Sequence, residues 1–532
     1  MSESQRSLPL GRSTFATLRI RNDLYVDKTA YVHRLAREDA KIFLVRPRRF
    51  GKSLLLSTFE SLFRDGLTHF RGLAIEKLWS DRTYPVVKLD FSEVKEFSDV
   101  EEFRSKFYEK LAAAFGDVGF RVQTDGFSVL TQLSTFLASL PPAGLVVLID
   151  EYDAPLTQCL DNPKLFREVR SVMSELFLSL KSREGCLRFF FMTGITKFSN
   201  TSIFSAFNNL QDTSLDPLYG ALLGYTDEEI RANFSEYLVP AAEALHMDQE
   251  ELMAELKKNY DGFSFDERAE TRVYCPWSVL SFLNRPDRGF MNYWFESGGQ
   301  PTVLLKYLQG HGLQSPDSYG KSITYSLRRL NASRQYDEID LEALLFQSGY
   351  LTVKSVEGGD FVELNYPNEE VAVSMAQLYA ENMIRKERIA QSGIARLKND
   401  MSYGSLDEVV TSFNRVLDNV DYHDSPICNE GSCRTHLQIL MIGLALLPRV
   451  EVHNAKGRSD MEVETSTRHW VFEFKFAHRD EEAPALLEKA VEQMTDRRYG
   501  MGYLGDKSLL RAALVFSAES RAFVAWRLVE ES

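Results

Sequence analysis

Four short apolar runs, each rich in β-branched or aromatic residues, constrain this chain most: "KIFLV" (41–45), "PVVKLDF" (85–91), "GLVVLI" (144–149) and "LRFFFMT" (187–193). Stretches of helical period, such as 52–64 and 164–182, separate them. Strand and helix signals in alternation predict a parallel sheet with helices on both faces. The runs are apolar throughout rather than at every second position, as strands covered on both sides require.

Between the first run and its helix lies "RPRRFGKS" (46–53). A loop entering a helix N-terminus from a buried strand aims backbone N–H groups at an anion. Gly51, Lys52 and Ser53 fit a phosphate loop, with the lysine for the β/γ-phosphates and the hydroxyl for Mg²⁺. Their neighbours Arg49, Phe50 and Leu54 are counted with them as cofactor-binding residues. Arg46 stands where the usual pattern begins with glycine, and Pro47 removes one donor. The third run ends in Asp150-Glu151. Asp150 can hold the Mg²⁺ shell and Glu151 can polarise an attacking water, the acidic roles of phosphoryl transfer. Alone, such a pair is equally explained as solvated acids after a core strand. Thr193, at the tip of the fourth run, would sit beside the γ-phosphate, followed by Lys197. The alternative is a strand-capping threonine and a solvated lysine.

From Tyr225 the texture changes. Thr226 reads as an N-cap with Glu229 three residues on. Helical, aromatic-rich sequence runs to about 335, and 340–371 reads as helix, strand, Gly-Gly turn, strand, helix. That is either a winged-helix-like module or an ordinary α+β cap on the preceding sheet. Residues 376–450 read as helical, followed by "RVEVH", "DMEVET", "HWVFEFKF" and a helix near 481–499. The expected divisions are 1–224, 225–375 and 376–532. In "GRSDMEVETSTRHWVFEFKFA", Asp460 falls on one strand of a hairpin, with Glu473 and Lys475 on one face of the next. Two carboxylates can hold Mg²⁺, while a lysine steadies the charge of a phosphodiester under attack or lowers the pKa of the attacking water. From spacing alone, alternating Glu and Lys on an exposed strand explains the pattern more simply.

With 532 residues, 44% of them hydrophobic, the chain can bury more than one core. Its formal net charge of -14 argues against a general DNA-coating role and leaves room for a local basic cleft. No run is long enough to cross a bilayer, and the start lacks a signal-peptide core, so a cytoplasmic protein is expected. Five irregularly spaced cysteines give no disulfide framework. His423, Cys428, Cys433 and His436 are zinc-type ligands, at a spacing looser than the usual knuckle.

Several ordered motifs carry a resemblance: "YVDKT" (25–29), "RPRRFGKSLLLSTFESLF" (46–63), "LIDEYDAP" (148–155), "NNLQDTS" (208–214) and "LLFQSGYLT" (344–352). Together they resemble the AAA-ATPase-like family of bacterial and some fungal proteins, which often carry a C-terminal PD-(D/E)XK nuclease-superfamily domain. The resemblance implies a P-loop NTPase fold and a restriction-endonuclease-like α/β domain. It implies ATP and Mg²⁺ as cofactors, and Tyr25–Thr29 near the base. Asp460, Glu473 and Lys475 match the nuclease pattern, Glu430 supplies a further carboxylate, and Gln493 is a polar residue facing that site. The family carries the same arginine-rich loop, so its arginines would give charge to phosphate or to a nearby carboxylate. The implied function is an ATPase coupled to Mg²⁺-dependent cleavage of nucleic acid. The other reading is an ATP-dependent switch or scaffold whose nuclease-like domain only binds nucleic acid or protein. Nucleic acid and a second copy of the chain are the expected partners, and a membrane is not.

Overall fold

The computed structural model describes residues 6–37, 41–124, 126–198, 210–294, 304, 307, 318–331, 340–384, 391–418, 426–443, 446, 448–453, 457–500, 503 and 507–530. They divide into two compact units, Met1–Gly312 with Ser322–Ala372, and Leu313–Lys321 with Val373–Ser532.

In the first unit the four apolar runs are strands β1 (Lys41–Val45), β2 (Val86–Asp90), β3 (Leu145–Asp150) and β4 (Leu187–Gly194), joined by a short β5 (Leu210–Asp212). Their order is β2-β3-β4-β1-β5, with every pairing parallel. All of β3, and all of β1 but its first residue, is buried, which is why these strands read as continuous apolar runs. The register sets Val45 beside Gly194 and Asp90 beside Asp150. The carboxyl ends of the strands therefore meet along one edge, where open α/β sheets hold ligands. Helices α1 (Lys52–Asp65), α2 (Val100–Gly116), α3 (Val129–Ser139) and α4 (Pro163–Ser182) belong to this unit. Phe59 and Phe63 of α1 pack on Phe189 and Phe191 of β4 at centroid distances of 4.9 to 5.1 Å.

Beyond the sheet, Thr226 and Glu229 form a complete capping box at the start of α5 (Asp227–Asn233). Later come β6 (Ile323–Ser326), α6 (Leu341–Ser348), β7 (Thr352–Glu357) and β8 (Phe361–Asn365). The expected helix and hairpin are present, and β6 completes a three-stranded antiparallel sheet in the order β6-β8-β7. Apart from Glu342, every residue of α6 is buried, so this helix packs as core and offers no basic face to nucleic acid.

The second unit contains α7 (Leu406–Leu417), α8 (Glu430–Gly443), and strands β9 (Arg449–His453), β10 (Arg458–Glu464) and β11 (Arg468–Ala477). A crossover helix α9 (Ala483–Asp496) follows, then β12 (Ser508–Ser517) and β13 (Ala522–Leu528). The sheet is mixed, in the order β13-β12-β11-β10-β9, with only β11 and β12 parallel. The two faces of β11 serve two cores. Trp470, Phe472 and Phe474 join Phe413 and Leu437, while Val471 and Ala477 join Leu487, Ala490 and Met494.

Gly349 ends α6 in the left-handed region, with φ 88°, and a Cβ there would lie 2.8 Å from the Cβ of Pro47 in the phosphate loop. Gly349→Ala thus combines backbone strain with a clash. We expect a loss of roughly 1–2 kcal/mol or more from the first unit. In calorimetry the transition assigned to that unit should fall in temperature, and an unchanged transition would refute the packing described.

Candidate active sites

The candidate phosphate loop runs from β1 into α1, and its three arginines make different contacts. Gly51, at φ 89°, precedes α1 and lets the chain turn into the helix. The Lys52 Nζ donates to the Arg46 and Pro47 carbonyls, each at 2.9 Å, so the ammonium fills the loop. Burial lowers the Lys52 pKa, and Asp150, Asp153 and Glu151 oppose that shift. Arg46 turns away from the loop opening. Its guanidinium donates to the carbonyls of Val45 (2.9 Å), Ser214 (2.6 Å) and Tyr219 (3.2 Å), and lies 4.3 Å from the Phe265 ring centre. Burial pushes its pKa down to about 9, with Asp212 opposing. Its hydrogen bonds go to backbone carbonyls, while the nearby carboxylate of Asp212, one of the two kinds of partner expected for the loop's arginines, favours its charge. Arg49, at φ 69°, stacks over Trp277 at 4.3 Å. Phe50 is buried edge-on against Phe263 and Phe265, so only its backbone remains for a phosphate. Arg48 alone of the three arginines lines the cleft that holds Glu151.

That cleft, about 260 Å³, is also lined by Asp153, Ile195 and Thr196. Asp150 is buried at the tip of β3 and takes a hydrogen bond from Ser53, and burial still raises its pKa. Lys52, Ser53 and Asp150 are therefore brought together. Glu151 follows at φ 46°, its pKa raised by burial and then by Asp153. Thr193 does not join them. It is fully buried between strands, and its hydroxyl donates to the Leu44 carbonyl at 2.7 Å. The correction has a simple cause. A threonine inside a parallel strand satisfies its hydroxyl on a neighbouring carbonyl, and only residues past the strand end reach the cleft. Thr196 does so, and its buried Oγ1 has no hydrogen-bond partner. Asp153, also passed over in the sequence, accepts the N–H groups of Ile195 (3.1 Å) and Thr196 (2.7 Å). Its place in "DEYDAP", three residues past the strand tip, was the available signal.

On the other side of Gly51 lies an apolar pocket of about 80 Å³ lined by Tyr25, Val26, Leu54, Leu222 and Tyr225. Asp27 pins the next helix by accepting the Thr29 N–H (2.8 Å) and hydroxyl (2.6 Å). The "YVDKT" motif is thus beside the loop, with an apolar wall suited to the face of a base.

In the second unit Asp460 on β10 and Glu473 on β11 face each other with Glu430 at the start of α8. Ligand oxygens of the three lie within 4.8 Å of one another. The Lys475 Nζ donates to Glu473 Oε1 at 2.8 Å and stands 3.5 Å from both Glu430 oxygens. Asp460 Oδ2 accepts the Phe474 N–H at 2.8 Å, while Arg434 approaches its other oxygen at 3.6 Å. Glu473 Oε2 is buried with no partner. Burial and then Asp460 raise the Glu473 pKa to about 7. Burial disfavours the charge of Lys475, but Glu473, Glu430 and Asp460 outweigh it and raise its pKa. Three convergent carboxylates with one orphaned oxygen fit a hard divalent cation such as Mg²⁺. Gln493, on α9, donates to the Tyr499 hydroxyl at 3.2 Å. His423 lies outside the described residues, and His436 hydrogen-bonds Ser432 within its own helix at 2.7 Å.

The fold and the two sites define a P-loop ATPase-like unit carrying a nuclease-like unit. Residues 9–204 match the family described as Predicted AAA-ATPase, and residues 429–526 the PD-(D/E)XK nuclease superfamily. The chain belongs to the AAA-ATPase-like family that carries this C-terminal domain. It is 31% identical over 534 positions, covering 98% of each chain, to "Uncharacterized protein in vnfD 5'region" of Azotobacter chroococcum mcd 1. Among solved structures it is similar to Cdc6p of Pyrobaculum aerophilum, at 10% identity over 77% of this chain and 80% of that one, TM-score 0.22. It is also similar to the ORC2 protein of Aeropyrum pernix in its ADPNP–ADP complexes, at 11% identity over 71% and 97%, TM-score 0.27. At these scores neither likeness bears on what this chain does. No helix among the described residues is long and apolar enough to cross a membrane.

Glu473 gives a pH signature. Its pKa rises from 4.5 to about 7 on folding, so the folded state keeps a proton that the unfolded chain has released. Stability in a chelator should therefore fall as pH climbs through that window, by on the order of 1–3 kcal/mol. Glu473→Gln should flatten the trend in denaturant titrations. A wild-type profile identical to the variant's would contradict the assignment.

Proposed function

We propose that the first unit binds and hydrolyses ATP, and that its cycle governs Mg²⁺-dependent phosphodiester cleavage of nucleic acid by the second. The observation that carries this reading is the Lys52 ammonium lodged in its own loop beside the Ser53–Asp150 hydrogen bond. Both contacts are ones that a nucleotide with its cation replaces. Lys52 leaves the Arg46 and Pro47 carbonyls for phosphate oxygens. Ser53 and Asp150 hold the cation, Glu151 orients the water, and Thr196 takes the γ-phosphate contact first assigned to Thr193. The apolar wall from Tyr25 to Tyr225 receives the base.

In the second unit Asp460 and Glu473 hold Mg²⁺, with Glu430 as a further ligand. The cation supplies charge for the phosphodiester and acidity for its water. Lys475, tied to Glu473, steadies the developing negative charge. In this reading residues 1–224 hydrolyse, 225–375 move, and 376–532 act on nucleic acid.

The switch reading draws on one feature of the first unit. The Lys197 N–H donates to Gln347 of α6 at 2.9 Å, and its Nζ donates to Asn331 at 2.7 Å. The tip of β4 is thereby tied to the small sheet and its helices, which could report nucleotide occupancy without any cleavage.

Two sets of variants test these roles. Lys52→Ala should abolish ATP binding, whereas Glu151→Gln should retain ATP and slow turnover by roughly 100-fold or more. Wild-type hydrolysis in both removes the assignment. Asp460→Ala and Lys475→Ala should each stop cleavage of labelled DNA and RNA in Mg²⁺ or Mn²⁺. If wild type cuts neither polymer with or without ATP, the switch reading stands in place of the nuclease.

A further inference from the structure

An arginine of the second unit stands at the carboxylate cluster itself. Arg434 lies one turn along α8 from Glu430, so the two side chains leave the same face of the helix. Its Nη1 approaches Asp460 Oδ1 at 3.6 Å, and its Nη2 pairs with Glu451 Oε1 of β9 at 3.1 Å. The other Asp460 oxygen already accepts the Phe474 N–H, so Arg434 faces the less committed of the two. The same guanidinium favours the charge of Glu430. Two of the three converging carboxylates therefore feel this one cation.

Glu451 competes for it. The β9–β10 pairs Val452–Ser459 and Val450–Met461 bracket Glu451 and Asp460, which are neighbours across the ladder. Glu451 has φ 55°, a left-handed conformation uncommon for a glutamate. Its Oε2 pairs with Arg458 Nη1 at 3.1 Å, so two arginines share one carboxylate. The fork of Arg434 is in turn split between two acids, whereas a guanidinium matches best two oxygens of a single anion. Its contact with Asp460 is too long for a hydrogen bond. A divalent cation on that carboxylate weakens the attraction further, because the metal is then the larger local charge.

We propose that Arg434 binds a phosphate of the nucleic acid brought to the Glu430–Asp460–Glu473 site, and that Glu451 holds the arginine in the substrate-free protein. The proposal rests on the nucleic-acid reading of the second unit above. A phosphodiester drawn to these acids by their cation supplies the paired oxygens that the fork lacks. The Arg434 side chain is 22% exposed, so a polymer reaches it without opening the fold. Lys475 stays on Glu473, while Arg434 exchanges Glu451 for phosphate. A phosphate contact carries no sequence information, so Arg434 serves every sequence alike.

The test uses the full chain, labelled DNA and RNA oligonucleotides, and a salt series, with Ca²⁺ in place of Mg²⁺ to hold back cleavage. Arg434→Ala should weaken binding by about tenfold for every sequence and lower the slope of log K against log salt by about one unit. Arg434→Lys should keep the slope, because the charge remains, and regain part of the affinity. Glu451→Gln should bind roughly threefold or more tighter, since the arginine no longer has to leave a carboxylate. Mn²⁺ binding without nucleic acid, followed by calorimetry, should be unchanged or tighter in Arg434→Ala, because a competing cation is gone. A wild-type salt slope in Arg434→Ala overturns the proposal. Loss of Mn²⁺ affinity in that variant also overturns it, by marking Arg434 as a support for the carboxylates alone. Weaker nucleic-acid binding by Glu451→Gln overturns the part given to Glu451. A wild type that binds neither polymer removes the reading of the second unit and this proposal with it, whereas binding whose slope ignores Arg434 removes the proposal alone.

Discussion

A buried cation holds the phosphate loop in place. Arg46 is 1% exposed, and moving a guanidinium out of water costs several kcal/mol unless its protons are met. Three backbone carbonyls and the face of Phe265 meet most of them, and Asp212 lies near enough to favour the charge. Hydrogen bonds from a charged donor are worth about 1.5–3 kcal/mol each, enough together to offset the burial. The carbonyls belong to β1 itself and to the segment after β5, so one side chain fastens the start of the loop to two stretches of chain. A glycine at this position would leave that junction loose. The loop therefore enters α1 from a fixed point, and Lys52 finds its carbonyl partners in the two residues that Arg46 anchors.

That anchor explains why other motifs of the chain matter structurally. Ser214, in "NNLQDTS", gives Arg46 its carbonyl and accepts the Val45 N–H through its hydroxyl at 3.0 Å. Asp212 accepts from Lys197 at 2.6 Å, and Lys197 in turn holds Gln347 of "LLFQSGYLT" through its backbone N–H. Gly349, from the same motif, lets the chain pass directly over Pro47. Motifs far apart in sequence are successive layers of support around one loop.

The sheet was legible because it rests on local signals. Buried parallel strands announce themselves as unbroken apolar runs, and strand alternation puts Glu473 and Lys475 on one face, but it was the family resemblance and not the spacing that singled them out with Asp460. What the chain order hides is direction. Arg46, Arg48 and Arg49 are equivalent on paper, and only the surrounding carbonyls, the cleft and Trp277 separate them. Thr193 and Thr196 differ by three positions, yet one closes on Leu44 and the other reaches the cleft, because the strand ends between them. Strand β6 escaped notice because its four residues, ITYS, carry too little apolar signal to stand out from their helical surroundings.

The two sites share one electrostatic condition and answer it with lysines of opposite character. In the first unit burial raises the pKa of Asp150, Glu151 and Asp153, and in the second it raises Glu430 and Glu473. Each cluster is a set of acids that a nearby divalent cation would stabilise in the ionised form. Lys52, bonded to neutral carbonyls, has its pKa lowered by burial, so its charge is held weakly and is ready for a more negative partner. Lys475, directly on a carboxylate, has its pKa raised and is held firmly. The difference follows from what each lysine touches: a phosphate can displace a carbonyl with gain, whereas leaving Glu473 would strand a buried carboxylate. On the function proposed, the first lysine moves with its ligand and the second stays with the acids beside it.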